Sequence, residues 1–164
     1  AQLMVAVGDG YCCLKVSGRA SNANAPALEA VFVDTWRRGT RRFVLELSEC
    51  AGMDSTFIGK LLGISRRLSE DAAHPGTVEL LNATDPVLHA LDNLGVTSFF
   101  KLVQSDPAQT REFEQVQQRA LSKTEMTLLC LQAHRNLMEV NPANIPKFKD
   151  VARFLEEDLK RGSS

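Results

Sequence analysis

The chain has 164 residues, 44% of them hydrophobic and 24% charged, enough for one globular domain with or without an appendage and too apolar for long disorder. Nineteen basic against twenty acidic residues leave a formal net charge of −1, so no global field is present to hold a nucleic-acid backbone or an anionic membrane. The longest apolar runs, such as Leu128-Leu129-Cys130-Leu131, fall short of the roughly 20 residues of a bilayer span, and no basic-then-apolar leader is visible; a soluble protein without membrane insertion is expected.

Residues 2–7 and 11–17 are strand-like runs separated by Gly8-Asp9-Gly10, whose glycines supply the positive φ of a hairpin turn. A helix is predicted from Pro26 to about Arg38, with Leu28, Val31, Phe32 and Thr35 along one side and Gly39 as its stop. Residues 43–47, Phe-Val-Leu-Glu-Leu, suit a strand in the middle of a sheet. A loop over residues 48–53 leads to a second helix from Asp54 to about Glu70, carrying Ile58, Leu61, Leu62, Ser65 and Leu68 at helical spacing, with Asp54 and Ser55 competing as N-cap. Pro75-Gly76 turns the chain into a strand at 77–81, Thr84-Asp85-Pro86 opens a short helix ending at Gly95, and residues 96–103 hold a last β-prone piece. Residues 1–104 thus alternate ββαβαβαβ, the pattern of a mixed sheet with helices packed on it.

After Ser105-Asp106-Pro107 no β-prone run follows. Residues 112–121 read as a polar, glutamine-rich connecting helix. Met126, Leu129, Cys130, Ala133, Leu137 and Val140 then form one apolar stripe, and Ile145, Phe148, Val151, Ala152, Leu155 and Leu159 a second, separated by Asn141-Pro142. This predicts a helical hairpin whose stripes are covered either by the sheet domain or by a second copy of the chain in a homodimer. The expected division is a domain over residues 1–104 and a C-terminal helical extension over 105–164.

Enzyme signatures are missing: there is no Gly-x-Gly-x-x-Gly, Walker lysine loop, His-Glu-x-x-His or Gly-x-Ser-x-Gly. Cys12, Cys13, Cys50 and Cys130 have neither zinc-site nor disulfide-framework spacing, so they are read as reduced packing residues of a cytoplasmic protein. As adjacent strand residues, Cys12 and Cys13 point to opposite faces, so at most one enters the core. His74, His89 and His134 lie in three different elements and are read as ordinary surface or interface residues. No cofactor or metal is expected. Asp54-Ser55-Thr56 stands out, because a buried strand runs through a tight loop into two hydroxyls and a carboxylate at a helix start, where first-turn amides favour an anion. A phosphate on Ser55 would be tolerated there; plain helix capping is the simpler role for the same three residues.

Met53-Asp54-Ser55-Thr56-x-Ile58-Gly59-x-Leu61-Leu62 after a buried strand resembles the signature of STAS domains, in particular the bacterial anti-sigma factor antagonists. Val16-Ser17-Gly18, the segment from Asp85-Pro86-Val87 to Leu91, Gly95-Val96 and Phe100 match on either side. The resemblance implies an α/β fold, a STAS-like four- or five-stranded mixed sheet with helices mainly on one face. It implies a phosphorylation-regulated protein-binding module of transcription signalling, not an enzyme. Unphosphorylated at Ser55, with Thr56 the secondary acceptor, it would bind a partner that is both anti-sigma factor and serine kinase, and a serine phosphatase would reset it. Partner contacts are expected from Arg19, Ser21, Asn22, Met53, Asp54, Thr56, Phe57, Gly59 and Lys60, with Asp54 orienting the loop, Gly59 permitting close backbone approach and Phe57 an outward anchor or a packing residue. Three departures stand out: Arg19-Ala20-Ser21 where the family has Glu-Leu-Asp, Phe57 in place of a glycine, and Lys60 in place of a small apolar residue. Two other readings are a STAS subunit of a larger complex such as a lipid-transport ATPase, with a constitutive contact and Ser55 only a cap, and a small hydrolase with Ser55 as nucleophile.

Overall fold

The computed structural model describes residues 1–105 and 113–162. Strands β1 (Gln2–Gly8) and β2 (Tyr11–Ala20) form the expected hairpin. Next come α1 (Ala25–Arg37), β3 (Arg42–Glu46), β4 (Cys50–Met53), α2 (Ser55–Glu70), β5 (Thr77–Leu81), α3 (Asp85–Leu94) and β6 (Lys101–Val103). After these lie a two-residue strand β7 (Glu114–Gln115) and helices α4 (Lys123–Val140) and α5 (Ile145–Gly162).

The result is a mixed α/β fold on a seven-stranded sheet in the order β6-β5-β3-β2-β1-β7, with β4 added to the end of β2. The β2-β3-β5-β6 pairs are parallel and β1 is antiparallel to both neighbours. Helices α1 and α2 cover one face. Alternate strand residues Cys12, Leu14, Val16, Phe43, Leu45, Val78 and Leu80 point into a core shared with Leu28 and Phe32 of α1 and Ile58, Leu61 and Leu62 of α2. On the other face, Glu79 is held by Arg42 at 2.7 Å and Lys101 at 3.7 Å, which offsets the cost of burying its carboxylate. Cys12 and Cys13 point to opposite faces as expected, yet both are buried.

Two strands exceed the expected four or five. β4 forms where the sequence reads as loop, because the chain past a bulge at Gly18 pairs Gly18 with Cys50 and Ala20 with Met53. β7 lies in the segment expected to be a connecting helix. Glu112 and the residues before it back to 106 fall outside the described residues, but residues 113–121 are not helical, and Glu114–Gln115 pairs instead with Val5 and Met4 of β1. Glutamine's helix propensity is worth only tenths of a kcal/mol per residue, less than the backbone pairing offered by an open sheet edge.

The hairpin forms within one chain. Ser122 and Glu125 make a reciprocal capping box at the start of α4, and Asn141 and Asn144 each donate to the Leu94 carbonyl, at 3.1 and 2.9 Å, tying the inter-helix turn to the end of α3. The first stripe packs on α2, with Leu137 in the main core. The second faces α4 through Ala152 and the half-buried Phe148, Leu155 and Leu159, whereas Ile145 and Val151 of that stripe are exposed, as are Leu128 and Phe154. Among the described residues no helix is long and apolar enough to cross a membrane, and no cluster of three His, Cys, Asp or Glu could hold a metal ion.

All four cysteines are thiols. Burial, followed by the neighbouring Cys13, pushes Cys12 up to about 12, and burial raises Cys50 and Cys130 as well. Because the thiolate is the reactive form, iodoacetamide at pH 8 is expected to add one group to the folded chain, at the half-buried Cys130, and four after unfolding. Intact-mass spectrometry checks this; rapid multiple labelling of folded protein would contradict the packing described.

Candidate functional site

Asp54 settles the competition for the N-cap of α2. One carboxylate oxygen accepts from the Phe57 amide at 2.8 Å and the other from the Asn22 amide at 2.7 Å, while the Asp54 amide donates to the Ala20 carbonyl at 2.9 Å. One side chain therefore caps the helix and joins it to the end of β2, an arrangement in which two charge-assisted hydrogen bonds hold the carboxylate. Next to it Ser21 and Asn24 form a reciprocal capping box around a single 3-10 turn, Asn22–Asn24. The serine and asparagine expected at the site, together with the exposed Arg19, are thus brought against the start of α2.

Ser55 is the first residue of α2 and is half-buried. Its Oγ lies 3.0 Å from Nε2 of His134 on α4. The imidazole Nδ1 is 2.7 Å from the Cys130 carbonyl oxygen. A carbonyl only accepts, so Nδ1 carries a proton and, in the neutral ring, Nε2 accepts from the serine hydroxyl. His134 is 6% exposed and its ring packs against Phe148 at 5.0 Å. Of the surface and interface roles read from sequence it has the second, within the α2–α4 interface, where it continues the buried face of α4 one turn after Cys130. A histidine inside an otherwise apolar stripe was the signal available for it.

The other expected contact residues separate. Phe57, the outward anchor of one reading, is fully buried in the core, as are Met53 and Thr56 to within a few per cent. Phe57 falls in step with Leu61, Ile64 and Leu68 on the inner face of α2, so it packs, and the anchor role is withdrawn. Gly59 does permit close backbone approach, but the approaching backbone is α4: a Cβ there would stand 2.3 Å from the Ala133 carbonyl oxygen. Asn136 donates to the Gly59 carbonyl at 3.2 Å. Lys60 is half-buried and paired with Glu29 of α1; burial, then repulsion from Arg67, brings its ammonium down to about 8. It belongs to the α1–α2 seam, where a cavity of about 420 Å³ is lined by Glu29, Lys60, Arg66, Arg67, Glu70 and Asn136 among others.

Chemically, the Ser55–His134 pair has the spacing of a hydroxyl and its base. The neighbouring carboxylate of Asp54, however, is bound to backbone amides and does not orient the imidazole. What the geometry offers outward is a short polar edge: Arg19, Ser21 and Asn22 beside a capped helix N-terminus carrying a hydroxyl.

The family model for the STAS domain matches residues 2–108. Among curated proteins none matches in sequence. Solved structures share the fold at low identity. The unphosphorylated form of the anti-sigma factor antagonist SpoIIAA is 18% identical, with a TM-score of 0.55 over 65% of this chain and 90% of that one. The phosphorylated form of the Bacillus cell fate determinant SpoIIAA is 18% identical, with a TM-score of 0.52 over 65% and 93%. An anti-sigma factor antagonist from Mycobacterium paratuberculosis is 21% identical, with a TM-score of 0.52 over 61% and 82%.

Proposed function

The chain belongs to the STAS domain family, and on that footing we propose that it is an anti-sigma factor antagonist whose Ser55 is a phosphorylation switch. The unphosphorylated protein binds an anti-sigma factor that is also a serine kinase, freeing a sigma factor; phosphorylation of Ser55 ends the contact and a serine phosphatase restores it. Residues 1–104 carry this binding and residues 105–164 are an extension to it. The observation that carries the reading is the position of Ser55 at the opening of α2, held by the Asp54 cap against Arg19, Ser21 and Asn22. A phosphate there brings about −1.5 to −2 charge into the contact. A partner surface must then desolvate a dianion, a penalty of a few kcal/mol.

Co-purification from the native host with wild type, Ser55→Ala and Ser55→Asp tests this. Alanine is expected to keep the partner and aspartate to lose it tenfold or more; equal retention counts against control by charge. One observation favours the alternative of a constitutive STAS subunit, with Ser55 as an ordinary helix-start residue: its hydroxyl is already engaged by His134. Phosphate on Ser55 in protein from the native host supports the switch, and its persistent absence under all growth conditions supports the fixed subunit.

A further inference from the structure

Helix α4 holds Ser55 from above. Its His134 sits 3.0 Å from the serine oxygen, and the imidazole is kept there by the Cys130 carbonyl on one side and Phe148 on another. The helix cannot slide away by small steps, because the Ala133 backbone rests on Gly59 and Asn136 is hydrogen-bonded to the Gly59 carbonyl. The hairpin is held to the sheet domain mainly by α4 lying along α2. Among the described residues, Leu137 is its one buried member of the main core, with Val140 and Phe148 partly buried against it. Polar ties add to this packing: Thr56 with Cys130, Arg66 with Glu139, Asn141 and Asn144 with Leu94, and Lys147 with Asn93.

We infer that the α4–α5 hairpin is a lid over Ser55, and that a docked hairpin and a phosphorylated Ser55 exclude one another. The inference rests on the reading of Ser55 as a phosphate acceptor. In that modification the Oγ–P bond forms as the bond from the terminal phosphorus to its bridging oxygen breaks in a nucleoside triphosphate, and the hydroxyl proton leaves to solvent. Three oxygens on phosphorus must then be accommodated around an Oγ that has the imidazole at 3.0 Å on one side. An imidazolium could attract the dianion, but only after withdrawing by the width of a phosphate, and the Ala133–Gly59 contact holds His134 in place while α4 is docked. A kinase therefore acts on the open form, and the phosphorylated chain stays open, a shift between two populations set by what each can accommodate. The serine is thereby shielded until the hairpin leaves, whether spontaneously or through a partner that binds it.

The test uses the full chain with phosphoserine incorporated at position 55 during synthesis, compared with the serine form. Two readouts follow the lid: alkylation of Cys130 by iodoacetamide, and amide hydrogen exchange in α4. The phosphoserine chain is expected to alkylate Cys130 at least tenfold faster and to lose protection in α4, while β2 and β3 exchange as before. A third readout is cross-linking in Gly63→Cys/Asn136→Cys, positions that face each other between α2 and α4; the serine and phosphoserine chains both then lack the Asn136–Gly59 hydrogen bond, so their difference reports the phosphate. The disulfide should form readily in the serine chain and poorly in the phosphoserine chain. Equal alkylation, equal protection and equal cross-linking would overturn the lid, and so would loss of protection throughout β2 and β3, which would mean general unfolding. None of these readouts depends on whether the native host phosphorylates Ser55 or on any partner, so the lid and the switch can fail separately.

Discussion

Phe57→Ala is expected to lower the unfolding free energy by about 3–5 kcal/mol, the range for removing a buried aromatic ring. In urea this moves the midpoint by on the order of 2 M. The side chain is fully buried, and its neighbours on the inner face of α2, Leu61, Ile64 and Leu68, are buried with it. Loss of the ring leaves a cavity that the sheet cannot fill, because β2 and β3 are fixed by their pairing on both sides. Had Phe57 been an outward anchor for another protein, alanine would change stability by no more than about 0.5 kcal/mol, and only binding would suffer. Equilibrium denaturation, with near-unchanged slope, separates the two: a midpoint shift of a few tenths molar would refute the packing. The effect reaches the site, since the Phe57 amide is the group that Asp54 caps. A loosened first turn would free Ser55 from its present place.

The elements that could be read locally are those whose periodicity survives in tertiary structure. Helix α2 is one: Asp54 caps it, its apolar residues recur at helical steps, and its observed bounds, Ser55–Glu70, match the spacing. Phe57, four residues before Leu61, falls in the same phase, and of its two readings, outward anchor or packing residue, the structure bears out the packing one. Strand β4 could not be read, because Cys-Ala-Gly-Met has little β propensity of its own and forms only where the end of β2, past its bulge, is there to pair with it. β7 likewise exists through the edge of β1. At the site, Asp54 and Ser55 were legible from neighbouring sequence, and so was their junction with a strand. His134 was not, since 79 residues separate it from Ser55. Its contact depends on how α4 crosses α2, which is set by a glycine whose role is to be absent as a side chain.

Gly59→Ala puts that role to the test, and its sign is informative. Within an isolated helix alanine is favoured over glycine by about 1 kcal/mol, so if α2 acted alone the substitution would stabilise the protein. In the folded chain the added methyl would lie 2.3 Å from the Ala133 carbonyl oxygen, 2.7 Å from its carbon and 2.9 Å from its Cα. All three are backbone atoms, and a rigid helix cannot turn them aside as a flexible side chain would. The expected result is loss of hairpin docking, with a net destabilisation of about 1–3 kcal/mol as for overpacking elsewhere. Because α4 moves and the sheet does not, the damage should be local: α4 peptides lose amide protection, β2 and β3 peptides keep theirs, and Cys130 becomes more reactive toward iodoacetamide. Local opening of this kind is what exchange measurements resolve and a global melting temperature averages. A stabilised protein with α4 still protected would show that the two helices have room for a methyl group between them, and the close crossing that brings His134 to Ser55 would have to be abandoned.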